Sequence, residues 1–267
     1  RIQKEKKYNQ EIRLFFNFYI DNFSRGSGGK ETTELFEKGL SLFNSNLKEL
    51  IKKYFLINID ERHKGKWDEV IKNQFLTSRF VSFRNVQYIA PVWDLVNHAV
   101  KSRPFIFNQK GISTPNYPAI KGEIRHSYNN ISPLKRFFSY GFFSEETMVF
   151  SVPFTLNIKD SGIKMVCKGR SLKNDSMKIE RIANQITIEG FPIASFNHPR
   201  FPYYYLEEIF KRIAENKPSK DFLLRILQFN IKCRESIINE SLLIDNEVSN
   251  MLTKTIQYEI SLISFHN

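Results

Sequence analysis

Cysteine is scarce in this chain: only Cys167 and Cys233 occur among 267 residues, and neither has a C-x-x-C partner. At most one disulfide can form, so a disulfide scaffold and a cysteine-based zinc site are both excluded. No apolar run approaches the ~20 residues that span a bilayer, and no membrane span is expected. Acidic residues are in deficit, 28 against 40 Lys and Arg, giving a net charge of +12 and a pI of about 9.5. A field of that sign favours anionic partners. The basic residues are nevertheless scattered, apart from Lys4-Glu5-Lys6-Lys7, which is the pattern of a solvated surface. What is abundant is aromatic, with 25 Phe and 11 Tyr in a chain that is 41% hydrophobic and 25% charged. That composition excludes disorder as the overall state, and the length suffices to bury a sizeable core. The first residue is Arg rather than Met, so the chain reads as a trimmed fragment.

Periodicity divides the chain into helical, mixed and helical thirds. Ile12, Phe15, Phe16, Tyr19 and Phe23 fall on one helical face, and the run Ser24–Lys30 (SRGSGGK) breaks it. A second helix is expected from about Thr32, with Leu35, Leu40, Phe43, Leu47, Leu50 and Tyr54 as its apolar stripe. Trp67, Val70, Ile71 and Gln74 start a third that runs into Arg79. Then the texture changes. Val86–Val92 reads as a strand, 101–121 as irregular, and Gly122–Tyr128 and Met148–Ile158 as extended. Helices return after Pro202: Tyr205, Ile209, Phe210 and Ile213 mark one, and Phe222–Ile238, with Ser219 as N-cap, the next. A last helix from about Leu242 carries Val248, Leu252, Ile256 and Ile260, and the C-terminal stripes are expected to form one lobe apart from the core. No internal repeat is present.

The mixed middle holds the informative residues. Pro91-Val92-Trp93-Asp94-Leu95-Val96-Asn97-His98 is followed by Gly122-Glu123-Ile124-Arg125-His126-Ser127-Tyr128 and then by Tyr140-Gly141-Phe142. Each segment alone is a weak signal; three in this order are a stronger one. Together they resemble the C-terminal half of a SET domain, the S-adenosylmethionine-dependent protein methyltransferase fold. The likeness is greatest to the subclass containing the Rubisco large-subunit and actin-histidine methyltransferases. Ser78-Arg79-Phe80 and Asn197-His198-Pro199-Arg200-Phe201-Pro202 sit where that subclass has further motifs. The resemblance covers about residues 32–267, strongly only Arg79–Phe142.

That resemblance implies an α+β fold with a SET-type β core, a helical insert and an all-helical C-terminal lobe. The corresponding division is 1–85 (mostly helical), 86–150 (SET core) and 151–267 (helical substrate-binding lobe). By the same resemblance Tyr128 is the catalytic tyrosine, Tyr140 lines the lysine channel and Phe142 stands nearby. Asn97 and His98 would hold S-adenosylmethionine, Arg79 would pair with its carboxylate, and Asp94 would orient the Asn-His turn. The implied activity is lysine methylation of a protein substrate, without metal, in an intracellular protein, cytoplasmic or nuclear. A Gly-x-Gly cofactor segment is not found; Arg25–Gly29 reads as a plain linker between helices. Either that segment precedes Arg1 or the chain lacks it. The alternative function is a catalytically silent SET-like module that binds an acidic protein partner. Nucleic-acid binding rests on the charge alone.

Overall fold

The computed structural model describes residues 10–11, 14–15, 18, 30–78, 80–83, 86–89, 97–108, 111–113, 125–127, 132–158, 162–169, 178–198, 200–212 and 220–265. Among them the fold is α+β. Helices α1 (Lys30–Ser41), α2 (Ser45–Phe55), α3 (Ile59–Arg62) and α4 (Trp67–Thr77) come first. Two hairpins follow, β1 (Phe80–Phe83) with β2 (Val86–Ile89), and β3 (Ile106–Asn108) with β4 (Gly111–Ser113). Helix α5 (Pro133–Tyr140) leads into six strands: β5 (Met148–Phe150), β6 (Phe154–Ile158), β7 (Ile163–Cys167), β8 (Lys178–Ile182), β9 (Gln185–Glu189) and β10 (Pro192–Ser195). Helices α6 (Phe201–Arg212), α7 (Lys220–Ser241) and α8 (Glu247–Ser264) close the chain.

Several expected elements change shape for identifiable reasons. The single helix from Thr32 to Tyr54 is two helices, because Asn44 caps α2 by accepting from the Leu47 amide at 2.8 Å. Its stripe therefore breaks: Leu40, Phe43 and Leu47 are buried, while Leu35 is exposed and Phe36 and Glu37 take the inward face. Before Lys30, residues 10, 11, 14, 15 and 18 are helical, but Phe15 is exposed; Ile12, Phe16, Tyr19 and Phe23 lie outside the described residues, as do Ile213 and Ser219. The irregular 101–121 stretch contains the β3–β4 hairpin, in which Gly111, paired with Asn108, holds φ 137°. Helix α8 starts later than expected, at the Asn246 N-cap.

The all-helical C-terminal lobe is corrected by five strands within 151–195. Four of them form one sheet in the order β6-β7-β9-β8, in which β7 and β9 are parallel and the outer pairs antiparallel. Their alternation is short but present: Ile163, Met165 and Cys167 are buried in β7, and Ile186 and Ile188 in β9. The remaining strand, β10, pairs with β5.

Two apolar clusters organise the interior. One joins this sheet to α6, the first half of α7 and the end of α8, through Met165, Ile188, Leu206, Ile226 and Ile263. The other joins α1–α3 and α5 to α8, through Phe36, Leu40, Leu47, Phe137, Leu252 and Ile256. The C-terminal helices are therefore no separate lobe; α8 belongs to both clusters. Its approach to α1 is close, since a Cβ on Gly39 would lie 2.2 Å from Cγ2 of Val248. A buried polar seam adds direction to this packing. Arg234 of α7 donates to Glu259 of α8 at 2.9 Å, and Glu259 accepts from the Leu134 amide in the first turn of α5.

Candidate functional site

Helix α5 is built by local signals that all agree. Ser132 accepts from the Lys135 amide as N-cap, Pro133 occupies the first turn, and Gly141 ends the helix with φ 75°. Leu134, Phe137 and Phe138 are buried against α1 and α8. That packing fixes the direction of Tyr140, the last helical residue, and of Phe142, just beyond the glycine. Both are half-buried, with ring centroids 6.2 Å apart.

The Asn97-His98 segment reaches the same place from the opposite side. Its backbone pairs with Arg125–Ser127: the His126 amide donates to the Asn97 carbonyl and the Ala99 amide to the His126 carbonyl, both at 3.0 Å. The two histidines form a parallel bridge. Asn97 is exposed, whereas the His98 side chain is 2% exposed and its ring centroid lies 6.3 Å from that of Phe142.

Beneath the rings sits a buried charge cluster. Nε2 of His98 is 2.8 Å from Oε1 of Glu146, and Nε of Arg136 donates to the same oxygen at 2.7 Å. The Arg136 guanidinium also lies 5.0 Å from the Tyr140 ring centroid, a cation–π contact. Burial alone would raise the Glu146 pKa; the His98 contact and the Arg136 charge outweigh it and hold it below the ordinary carboxylate value. A charged carboxylate is tolerated here because it is paired.

His126 completes the frame. It is fully buried, its ring stacks on Phe105 at 4.2 Å, and its Nδ1 lies 3.0 Å from the Arg103 carbonyl. A carbonyl can only accept, so Nδ1 carries the proton in that bond. The apolar Phe105 in the 101–121 stretch thus packs on His126, in the segment that precedes Tyr128.

Of the seven residues singled out in the sequence, four are described and cluster here: Asn97, His98, Tyr140 and Phe142. Arg79, Asp94 and Tyr128 lie outside the described residues. Sequence reasoning missed Glu146, Arg136 and the role of His126. Arg136 occupies a buried position in an amphipathic helix where a cation is not expected, and Glu146 has no local pattern at all. Comparison with known protein families, curated proteins and solved structures gives no match. The cluster itself offers an exposed amide, two accessible aromatic rings and a neutralised buried ion network. Among the described residues no group of His, Cys, Asp and Glu is arranged to hold a metal ion, and no helix is long and apolar enough to cross a membrane.

Proposed function

We propose that this chain is an S-adenosylmethionine-dependent protein methyltransferase with a SET-type core, acting on a lysine side chain. The observation that carries the reading is a convergence. The Asn97-His98 backbone pairs with His126, two residues before Tyr128, and the His98 ring meets Phe142 of the Tyr-Gly-Phe segment. Three motifs far apart in sequence are brought to one point.

The residues fit the cofactor. Aromatic faces at Tyr140 and Phe142 suit a sulfonium cation, and the exposed Asn97 amide both donates and accepts, as an adenine edge requires. The cofactor, when bound, supplies an electrophilic methyl group. What the chain contributes is alignment and dryness. By the SET resemblance, Tyr140 and Phe142 line the channel that excludes water and holds the amine in line. The same surroundings penalise the ammonium form of a target lysine, so the neutral amine becomes accessible near neutral pH. By the SET resemblance, the Tyr128 hydroxyl orients that amine and Arg79 pairs with the cofactor carboxylate, a planar fork on a carboxylate.

The test is calorimetric titration with S-adenosylmethionine, followed by tritiated methyl incorporation into a protein array. Asn97→Ala should weaken cofactor binding while the melting curve stays cooperative. Tyr128→Phe should bind the cofactor as wild type does but lose about 100-fold in transfer, the scale of one preorganised transition-state hydrogen bond. Absence of binding heat at millimolar cofactor overturns the reading. Binding without transfer to any arrayed protein points instead to a silent module for an acidic partner.

A further inference from the structure

A cleft of about 310 Å³ lies far along the chain from the candidate site, between strand β6 and helix α7. Three consecutive residues of β6, Phe154, Thr155 and Leu156, line it. Successive side chains of a strand point to opposite faces, so a cleft touched by three in a row runs along the strand's edge rather than over one face. Among the described residues β6 is an edge strand: the sheet order is β6-β7-β9-β8, and β7 is its only partner there. Along Phe154–Leu156 the backbone groups on the side away from β7 therefore have no strand partner among the described residues.

The other wall is the outward stripe of α7. Arg225, Phe229 and Lys232 follow one another at helical spacing and are all exposed. Phe229 is 41% exposed, an aromatic left facing solvent beside Leu156. Among the described residues neither Arg225 nor Lys232 has an ion pair, and no acidic side chain lines the cleft. An open strand edge with an apolar floor and two unpaired cations on its rim is a receptor for one kind of ligand.

We infer that this cleft binds an extended segment of a partner protein, added as a further strand on β6, whose α7-facing side chains include both apolar and acidic residues. Main-chain hydrogen bonds to the edge supply register, and alternate apolar side chains meet Leu156 and Phe229. Carboxylates on that same side of the segment meet Arg225 and Lys232, which selects against basic segments by like-charge repulsion. A nucleic acid would use the cations but not the strand edge, so peptide is the occupant the geometry favours. The inference stands whether or not the chain transfers methyl groups.

The experiment uses the full chain and a short fluorescein-labelled peptide in which Glu and Val take turns at every second position with Thr between them, read by fluorescence anisotropy. Its controls are the same peptide with Lys for Glu, and a labelled oligouridylate. The acidic peptide should bind with saturable anisotropy and slow hydrogen exchange across Phe154–Ile158. The double charge reversal Arg225→Glu with Lys232→Glu should weaken it about tenfold or more with an unchanged melting curve, both positions being exposed. Phe229→Ala should weaken it as well. Equal binding of the lysine peptide, preferred binding of the oligouridylate, unchanged affinity in the double variant or no exchange protection in β6 would each overturn the inference.

Discussion

Nε2 of His98 and Oε1 of Glu146 stand 2.8 Å apart, joining the Asn97-His98 segment to the turn after α5. Because both side chains are almost fully buried, the contact couples the conformation of the Asn97-His98 segment to the charge of one carboxylate. It turns a local motif into a long-range constraint.

Acid should expose that coupling. The Glu146 pKa is lower in the folded chain than the ordinary carboxylate value of 4.5, so its contribution to stability is complete above that value and is lost as pH falls through the folded pKa. Glu37 behaves likewise: burial would raise its pKa, but His63 and Arg62 lower it further. The melting temperature should therefore fall on the acid side, beginning near pH 4.5, and Glu146→Gln should flatten part of that slope. At neutral pH the same variant should cost about 3 kcal/mol, the scale of breaking a buried pair. Melting curves across the acid range for both proteins check it; identical slopes would count against the pairing.

The α1–α8 contact makes an opposite prediction to helix propensity. Alanine is favoured over glycine in a helix by about 1 kcal/mol, yet Gly39→Ala places its methyl against Val248. Overpacking of that kind costs about 1–3 kcal/mol, so Gly39→Ala should destabilise. Adding Val248→Ala should recover part of the loss. A double-mutant cycle by urea denaturation measures the coupling, and additive effects would refute the contact.

Both cysteines should be silent in the folded state. Burial pushes the Cys167 thiol up to about 11, and Cys233 is raised by the same cause. The thiolate is the reactive form, so Ellman's reagent at mildly alkaline pH should find no fast-reacting thiol until denaturant is added, and then two. Rapid reaction in native buffer would contradict the burial.

Truncation before Phe201 should fail to leave a folded remainder. It removes Ile237, Leu252 and Ile256, against which Leu40, Leu47 and Phe137 are buried. The shortened chain should be insoluble or lack a cooperative melting transition. A soluble, cooperatively melting fragment would show that the N-terminal helices are self-sufficient.

Legibility varied with the range of the interactions concerned. Helices α4, α7 and α8 were readable because a stripe such as Val248, Leu252 and Ile256 repeats at helical spacing. The break at Asn44 was encoded, in a capping residue, but a continuous apolar stripe masked it. The five strands of 151–195 were largely missed, since strands of four or five residues with exposed edges, such as β8, carry little alternation. At the candidate site, aromatic and polar motif residues could be named, but the Glu146–Arg136 pair could not. Buried ions are chosen by what approaches them in space, and no spacing rule announces that.

The hydrogen bond from Asn246 to the Gly39 carbonyl spans 207 positions. Helix α1 therefore leaves the ribosome well before the helix that covers it. At about 5–20 residues per second, the wait is about ten to forty seconds. During that interval Phe36, Leu40 and Phe43 have no final partner, so nascent chains should be clients of holding chaperones, and slower synthesis should lengthen that dependence.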